Sequence, residues 1–130
     1  MSVLLDTDHG VAVLRARLDV GRHPAADMPL FTTTVTVGEL AHGASRSADE
    51  ARNLDAVRTL LAGLTVLPFD TAAALRHGRL RHGLWRKGQP VGEPDLLIAS
   101  IALVHGLTLA THNRRHFERV PGLKLTDWLR

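Results

Sequence analysis

The chain has no cysteine among its 130 residues. That removes disulfides, thiolate metal sites and cysteine nucleophiles at once, and nothing argues for an oxidising compartment. No apolar run approaches the roughly 20 residues that a membrane-spanning helix needs, and no basic stretch followed by a long apolar segment and a cleavage site stands at the amino terminus. A soluble, cytoplasmic protein with no membrane partner is therefore expected. Internal repeats and low-complexity tracts are absent too. By length this is one domain, residues 1–130, large enough to bury a core without staples.

Charge is present but uneven. The formal net charge is +3, yet residues 1–65 carry 6 Lys+Arg against 8 Asp+Glu, while residues 66–130 carry 10 against 5. If some acids serve as metal ligands, the remaining surface is more basic than the sum, which favours a polyanionic partner. Simple solubility explains the same numbers, and charge alone does not choose.

The most informative stretch is 92–113. From Leu96 to Val104 every residue but Ser100 is apolar, so a helix here has no polar face and belongs inside, against a sheet. Pro94 suits its first position and Gly106 a left-handed cap after its last turn. Leu107–Thr111 follows as a short strand leading to His112 and Asn113. Asp95 at the helix start and Asn113 beyond the strand are the first candidate site residues.

Upstream, Ser2–Leu5 is a first strand with the polar tip Asp6-Thr7-Asp8, and in an open parallel sheet such tips face the ligand crevice. Asp6 or Asp8 as a helix cap accounts for the same residues. Val11, Leu14 and Leu18 give an amphipathic helix over 9–19, and Gly21–Pro29 a loop. Leu30–Val37, with four threonines and two valines, has strand character and turns into a helix at Gly38-Glu39. Glu39 thus stands at a strand-to-helix switch, where a first-turn glutamate favoured by the helix dipole is the alternative to a site acid. Residues 47–61 form a structural helix, 64–69 a short strand. Helix 71–87 carries Arg76, Arg79, Arg86 and Lys87 roughly on one side, suited to a phosphate backbone or simply to water. Arg114–Val120 gives a turn of helix and Leu123–Leu125 a small edge strand, with Trp128 tucking the terminal segment onto the body.

Asp6, Glu39 and Asp95 all fall at strand tips or helix starts of a repeating β-α pattern, which can bring them to one rim. Three carboxylates so close repel one another, and each would have a raised pKa unless a cation neutralised them. Oxygen donors without cysteine point to Mg²⁺ or Mn²⁺ rather than zinc, and such ions support phosphodiester hydrolysis. The eight histidines show no metal-ligand spacing and read as surface or core residues, with His112 and His116 the two to follow.

Leu4-Leu5-Asp6-Thr7-Asp8-His9, Val35-Thr36-Val37-Gly38-Glu39-Leu40, Pro90–Ala99 and Thr111-His112-Asn113-Arg114-Arg115-His116-Phe117 resemble the successive motifs of PIN-domain nucleases, from residue 2 to Trp128. More narrowly they resemble the VapC toxins of type II toxin-antitoxin pairs. The resemblance implies a three-layer α/β/α fold with a mainly parallel sheet and Mg²⁺- or Mn²⁺-dependent endoribonuclease activity. It also implies an RNA substrate, a homodimer, and a cognate antitoxin whose tail fills the active site. By position it makes Asp6, Glu39 and Asp95 the metal-binding and catalytic acids, with Asn113 assisting and Thr7 and Thr111 orienting ligands or phosphate through their hydroxyls. Many relatives carry a further acid in the last motif. This chain has Asn113 and His116 there, with Glu118 or Glu93 as alternative fourth ligands. The departure motivates a second reading, a catalytically degenerate PIN domain that binds RNA or protein. A phosphoacceptor receiver domain also has acids at strand tips but needs a lysine at its last strand, and 108–113 contains none.

Overall fold

A computed structural model describes residues 2–129. Five parallel strands, β1 (Val3–Leu5), β2 (Leu30–Thr33), β3 (Thr65–Leu67), β4 (Thr108–Ala110) and β5 (Leu125–Thr126), form one sheet in the order β3-β2-β1-β4-β5. The chain builds outward from β1 to β2 and β3, then returns to add β4 and β5 on the other side. This reversal leaves a crevice at the carboxyl ends of β1 and β4, where ligands of open parallel sheets bind. Helices α1 (Thr7–Leu14), α2 (Thr34–Ser45) and α3 (Glu50–Ala62) pack together on one face, and α4 (Thr71–Arg86), α5 (Asp95–Val104) and α6 (Arg114–Phe117) on the other. The result is the expected three-layer α/β/α arrangement.

Strand alternation divides the core. Leu4 and Leu109 face α4 and α5, while Val3, Leu5 and Ala110 face the opposite layer with Leu30, Leu64 and Trp128. Helix α5 is as buried as its sequence demands: Leu96, Ile98, Ala99, Ser100, Ile101 and Ala102 are all buried, and Ser100 satisfies its hydroxyl on the Leu96 carbonyl at 2.7 Å. Each buried Leu or Ile contributes about 1.5–3 kcal/mol of hydrophobic stabilisation, which makes α5 the anchor for the acid at its start. After α5, Gly106 adopts φ +65°, the left-handed conformation read from the sequence. On the other face, Gly10 of α1 packs toward Leu40 of α2 and Leu60 of α3.

Several boundaries differ from the sequence expectation, α6 stopping at Phe117 and β5 lying at Leu125–Thr126 among them. Strand β2 ends at Thr33, and Thr34–Val37 is already helical. The Thr33 hydroxyl accepts from the Thr36 amide at 3.1 Å, a side-chain cap that starts α2 four residues early and outweighs the few tenths of a kcal/mol that β-branched residues cost a helix. Glu39 is consequently inside α2 and not at a strand-to-helix switch. Helix α1 stops at Leu14, not at residue 19: Ala16 takes φ 56°, and Arg17 N–H turns back to the Ala12 carbonyl at 2.8 Å. The loop expected over 21–29 contains short 3-10 turns at Val20–Arg22 and Pro24–Asp27. Among the described residues no helix is long and apolar enough to cross a membrane.

Candidate active site

Asp6 is the first residue after β1, and its backbone N–H donates to the Ala110 carbonyl at 2.9 Å, pinning it beside the end of β4. Its carboxylate does two jobs. Oδ1 accepts from the Thr7 amide at 2.7 Å and caps α1, while Oδ2 accepts from the Thr111 hydroxyl at 2.7 Å across the crevice. Capping and site residue, alternatives in the sequence, are thus compatible in one side chain with two oxygens. Asp6 is only 5% exposed. Burial, with the neighbouring charges of Asp8 and Asp95, pushes its carboxyl up to about 6, against the lowering effect of the Thr111 and Thr7 hydrogen bonds.

Asp95 enters from the opposite layer as the first residue of α5. Burial raises its carboxyl above the ordinary value; His116 offsets part of the rise and Asp8 adds to it. Its Oδ2 lies 3.4 Å from Asn113 Nδ2 and 3.5 Å from His116 Nδ1, and those two groups meet at 2.9 Å. The positions where relatives are expected to carry an acid therefore do touch Asp95, but as an amide and an imidazole. The other two candidate fourth ligands are engaged elsewhere: Glu93 bonds His77 at 2.7 Å, and Glu118 lies 3.9 Å from Arg114.

Glu39 reaches the rim from α2, where the Thr7 hydroxyl donates to its Oε1 and also sits 3.0 Å from the Thr36 hydroxyl. Thr36 and Glu39, three residues apart, share the helix face turned to Thr7. Glu39 also lines a groove of about 290 Å³ between α1, α2 and α3, walled by Val11, Leu14, Leu40 and Val57.

Helix α4 does not share this enclosure. Arg76, Arg79 and Lys87 line a separate groove with Leu80, Leu84 and Pro121, and Arg86 is exposed to solvent. Asp8, which the sequence offered only as a helix cap, and His9 lie in the site instead. Asp8 accepts from the Thr111 hydroxyl at 3.3 Å, the His112 amide at 2.9 Å and the fully buried His9 ring at 2.7 Å. Burial pushes the Asp8 carboxyl up, but the His9 ring and the His112 amide outweigh it and hold it below the usual range. The only sequence signal for His9 was a histidine in the first turn of a helix otherwise facing an apolar layer.

Asp6, Asp8 and Asp95 thus form an acidic crevice in which, among the described residues, no lysine or arginine approaches within ion-pair distance. Such donors suit a hard divalent cation in charge and chemistry. They surround the crevice without closing on one point: no three His, Asp or Glu side chains among the described residues already form a closed ligand set.

The profile of the PIN domain family matches residues 3–123. The chain belongs to the PIN domain family. Its PIN domain is 44% identical to a tRNA(fMet)-specific endonuclease VapC of Salmonella typhimurium over 96 residues, 74% of this chain and 73% of the relative. Its structure superposes on VapBC from Salmonella typhimurium, solved bound to DNA, with a TM-score of 0.90 and 35% identity over 98% of each chain. It also superposes on VapBC-5 from Mycobacterium tuberculosis, a member of the VapBC family of toxin-antitoxin systems, with a TM-score of 0.75 and 30% identity over 97% and 98%. Within PIN domains this is a VapC-type chain, and its acidic crevice lies in the part of the domain that the family profile spans.

Proposed function

We propose that this chain is a Mg²⁺- or Mn²⁺-dependent endoribonuclease and the toxin of a toxin-antitoxin pair. The observation that carries this reading is that a buried Asp6 and a half-buried Asp95 face one β1/β4 crevice, near enough for the Asp95 charge to raise the Asp6 carboxyl, with no lysine or arginine paired to either among the described residues. Such a pair is unfavourable alone and favourable around a cation. The likeness to a tRNA endonuclease supports RNA as the substrate, and the likeness to VapBC toxin-antitoxin proteins supports a protein antitoxin as the partner.

Asp6, Asp95 and Glu39 would hold the ion, with Asn113 and His116 beside Asp95. The bound ion supplies neutralisation of phosphate charge and a water of lowered pKa. The chain's own part is to hold the acceptors still. Thr111 and the Thr7 amide occupy one lone pair on each Asp6 oxygen, leaving the remaining pairs for a ligand. Thr7 steers Glu39, and Asn113 keeps Asp95 and His116 together. Arg76, Arg79, Arg86 and Lys87 would attract RNA phosphates from α4. The apolar groove ending at Glu39 suits an antitoxin segment whose tail reaches the acids. The homodimer expected from the resemblance belongs to the same reading, and sedimentation of the antitoxin-free chain tests it.

The deciding experiment incubates antitoxin-free protein with cellular RNA plus Mn²⁺ or Mg²⁺, with EDTA, and with Asp6→Asn in parallel. Discrete fragments that need both the metal and Asp6 are expected. RNA binding without cleavage, indifferent to metal, would favour the degenerate binding module to which the Asn113 and His116 departure points.

A further inference from the structure

The last described residues of the chain reach back to the crevice. Asp127, whose side chain is only 2% exposed, is bonded through Oδ2 to His112 Nδ1 at 2.8 Å and through Oδ1 to the Leu129 amide at 2.8 Å. Trp128 N–H donates to His9 Nε2 at 3.0 Å, and its indole stacks on the His23 ring at a centroid distance of 3.7 Å. His9 Nδ1 in turn meets Asp8 Oδ1 at 2.7 Å, while the His112 amide donates to Asp8 Oδ2 at 2.9 Å. These contacts close a ring: Asp8, His9, Trp128, Asp127, His112 and back to Asp8.

The direction of the ring follows from donor chemistry. A backbone N–H can only donate, so His9 Nε2 is an acceptor and carries no proton. A neutral imidazole then carries its proton on Nδ1 and donates it to Asp8. The tail therefore selects the tautomer in which His9 can hold Asp8, and Asp8 shares with Asp6 the single hydroxyl of Thr111. Asp8 Oδ1 is held by its neighbour His9 and Oδ2 by Thr111 and His112 from beyond β4, and both His9 and the Asp127 side chain are buried.

We infer that the Asp127–Trp128 segment is a positioning element of the active site: it orients His9 and His112, which fix Asp8 and through Thr111 the carboxylate of Asp6. His9, Asp8 and Asp127 are positioning residues, acting as outer hydrogen-bond partners do around reactive carboxylates. This rests on the cleavage reading above.

The two ends of His9 can be separated. In His9→Asn the amide stands where Nδ1 stood, keeping a donor for Asp8 but losing the acceptor for Trp128. In His9→Gln the longer amide supplies the Trp128 acceptor and loses the Asp8 donor. kcat and KM for one RNA substrate, and the thermal midpoint, are measured for both variants, for Asp127→Ala, and for wild type with Asp6→Asn as the dead control. At a temperature well below every midpoint, His9→Gln and Asp127→Ala should lose about tenfold or more in kcat with KM within about twofold. His9→Asn should lose less in kcat than His9→Gln although it gives up the tail contact. A kcat that simply follows the midpoint across the variants, or variants that all cut like wild type while Asp6→Asn does not, would overturn the positioning role. Should a His9 variant not fold, Asp127→Ala against Asp127→Asn decides alone: the asparagine keeps an acceptor for His112 and should restore kcat toward wild type. A wild-type chain that cuts no RNA overturns the cleavage reading and this one with it.

Discussion

Asp6 and Arg79 are both charged side chains assigned to one reaction, yet the protein holds them in opposite ways. Asp6 is buried, bonded on each oxygen, and surrounded by Asp8 and Asp95. Arg79 stands on a helix whose outer face also exposes Leu75 at 73% and Trp85 at 71%. A crevice acid must hold its geometry to tenths of an ångström, and burial makes its charge expensive when uncompensated. A phosphate-attracting cation acts over a Debye length of about 8–10 Å and needs no fixed rotamer. Precision is therefore concentrated at the β1/β4 crevice, while α4 contributes field.

The largest contrast is in catalysis. Asp6→Asn keeps an oxygen for the Thr7 cap but puts a donor NH₂ where Oδ2 accepted from Thr111, and it should lower RNA cleavage by about 10²–10³-fold or more, whereas Arg79→Ala or Arg86→Ala alone should leave kcat within about threefold. A single α4 arginine variant as dead as Asp6→Asn would break the comparison and place α4 in the catalytic machinery.

Stability should divide in the same way. Ile98→Ala, in the helix that carries Asp95, should cost about 2–5 kcal/mol in urea unfolding, and Leu75→Ala on the exposed face under about 0.5 kcal/mol. Equal losses would mean that the α4 face is covered in solution.

The ion-free crevice should also show its strain in pH dependence. Folding raises the Asp6 carboxyl from 3.8 to about 6, so the folded state holds that proton more tightly than the unfolded chain. The stabilisation is fully present below pH 3.8 and is lost as pH rises through about 6. By neutral pH the loss is roughly 3 kcal/mol at most. In EDTA, Asp6→Asn should therefore be the more stable protein at pH 7, and Mn²⁺ should raise the thermal midpoint of wild type but not of the variant. Asp8 and Asp127, held below the ordinary value, have the opposite sign and weaken the fold as pH falls. A wild type that is more stable than Asp6→Asn at pH 7 without metal would contradict the buried-charge account.

The smallest effect expected is on binding. Arg79→Ala should weaken RNA affinity similarly across sequences and lower the slope of affinity against salt by about one. An unchanged slope would make α4 an ordinary solvated face.

Much of this was legible locally. The unbroken apolar run of α5, its left-handed Gly106 and the small polar tip after β1 located the buried helix, its boundaries and two of the acids. Strand β2 was overextended because threonine and valine have strand preference, and only the Thr33 side-chain cap revealed where the helix began. The site roles of Asp8, His9 and Asp127 were hidden for a different reason. His9 meets Trp128 across 119 positions, and Asp8 meets His112 across 104. Contacts of that span leave no periodic trace in the chain.

By itself the sequence determined the pattern that builds a parallel sheet, the donors available to a cation and the absence of thiols, because side-chain chemistry and hydrophobic spacing are local properties. The tertiary structure alone decided which oxygen of Asp6 caps a helix and which crosses to Thr111, that an amide and an imidazole meet Asp95, and which tautomer His9 adopts. Proton affinities and hydrogen-bond directions depend on burial and on neighbours brought from the far end of the chain, and those exist only once it has folded.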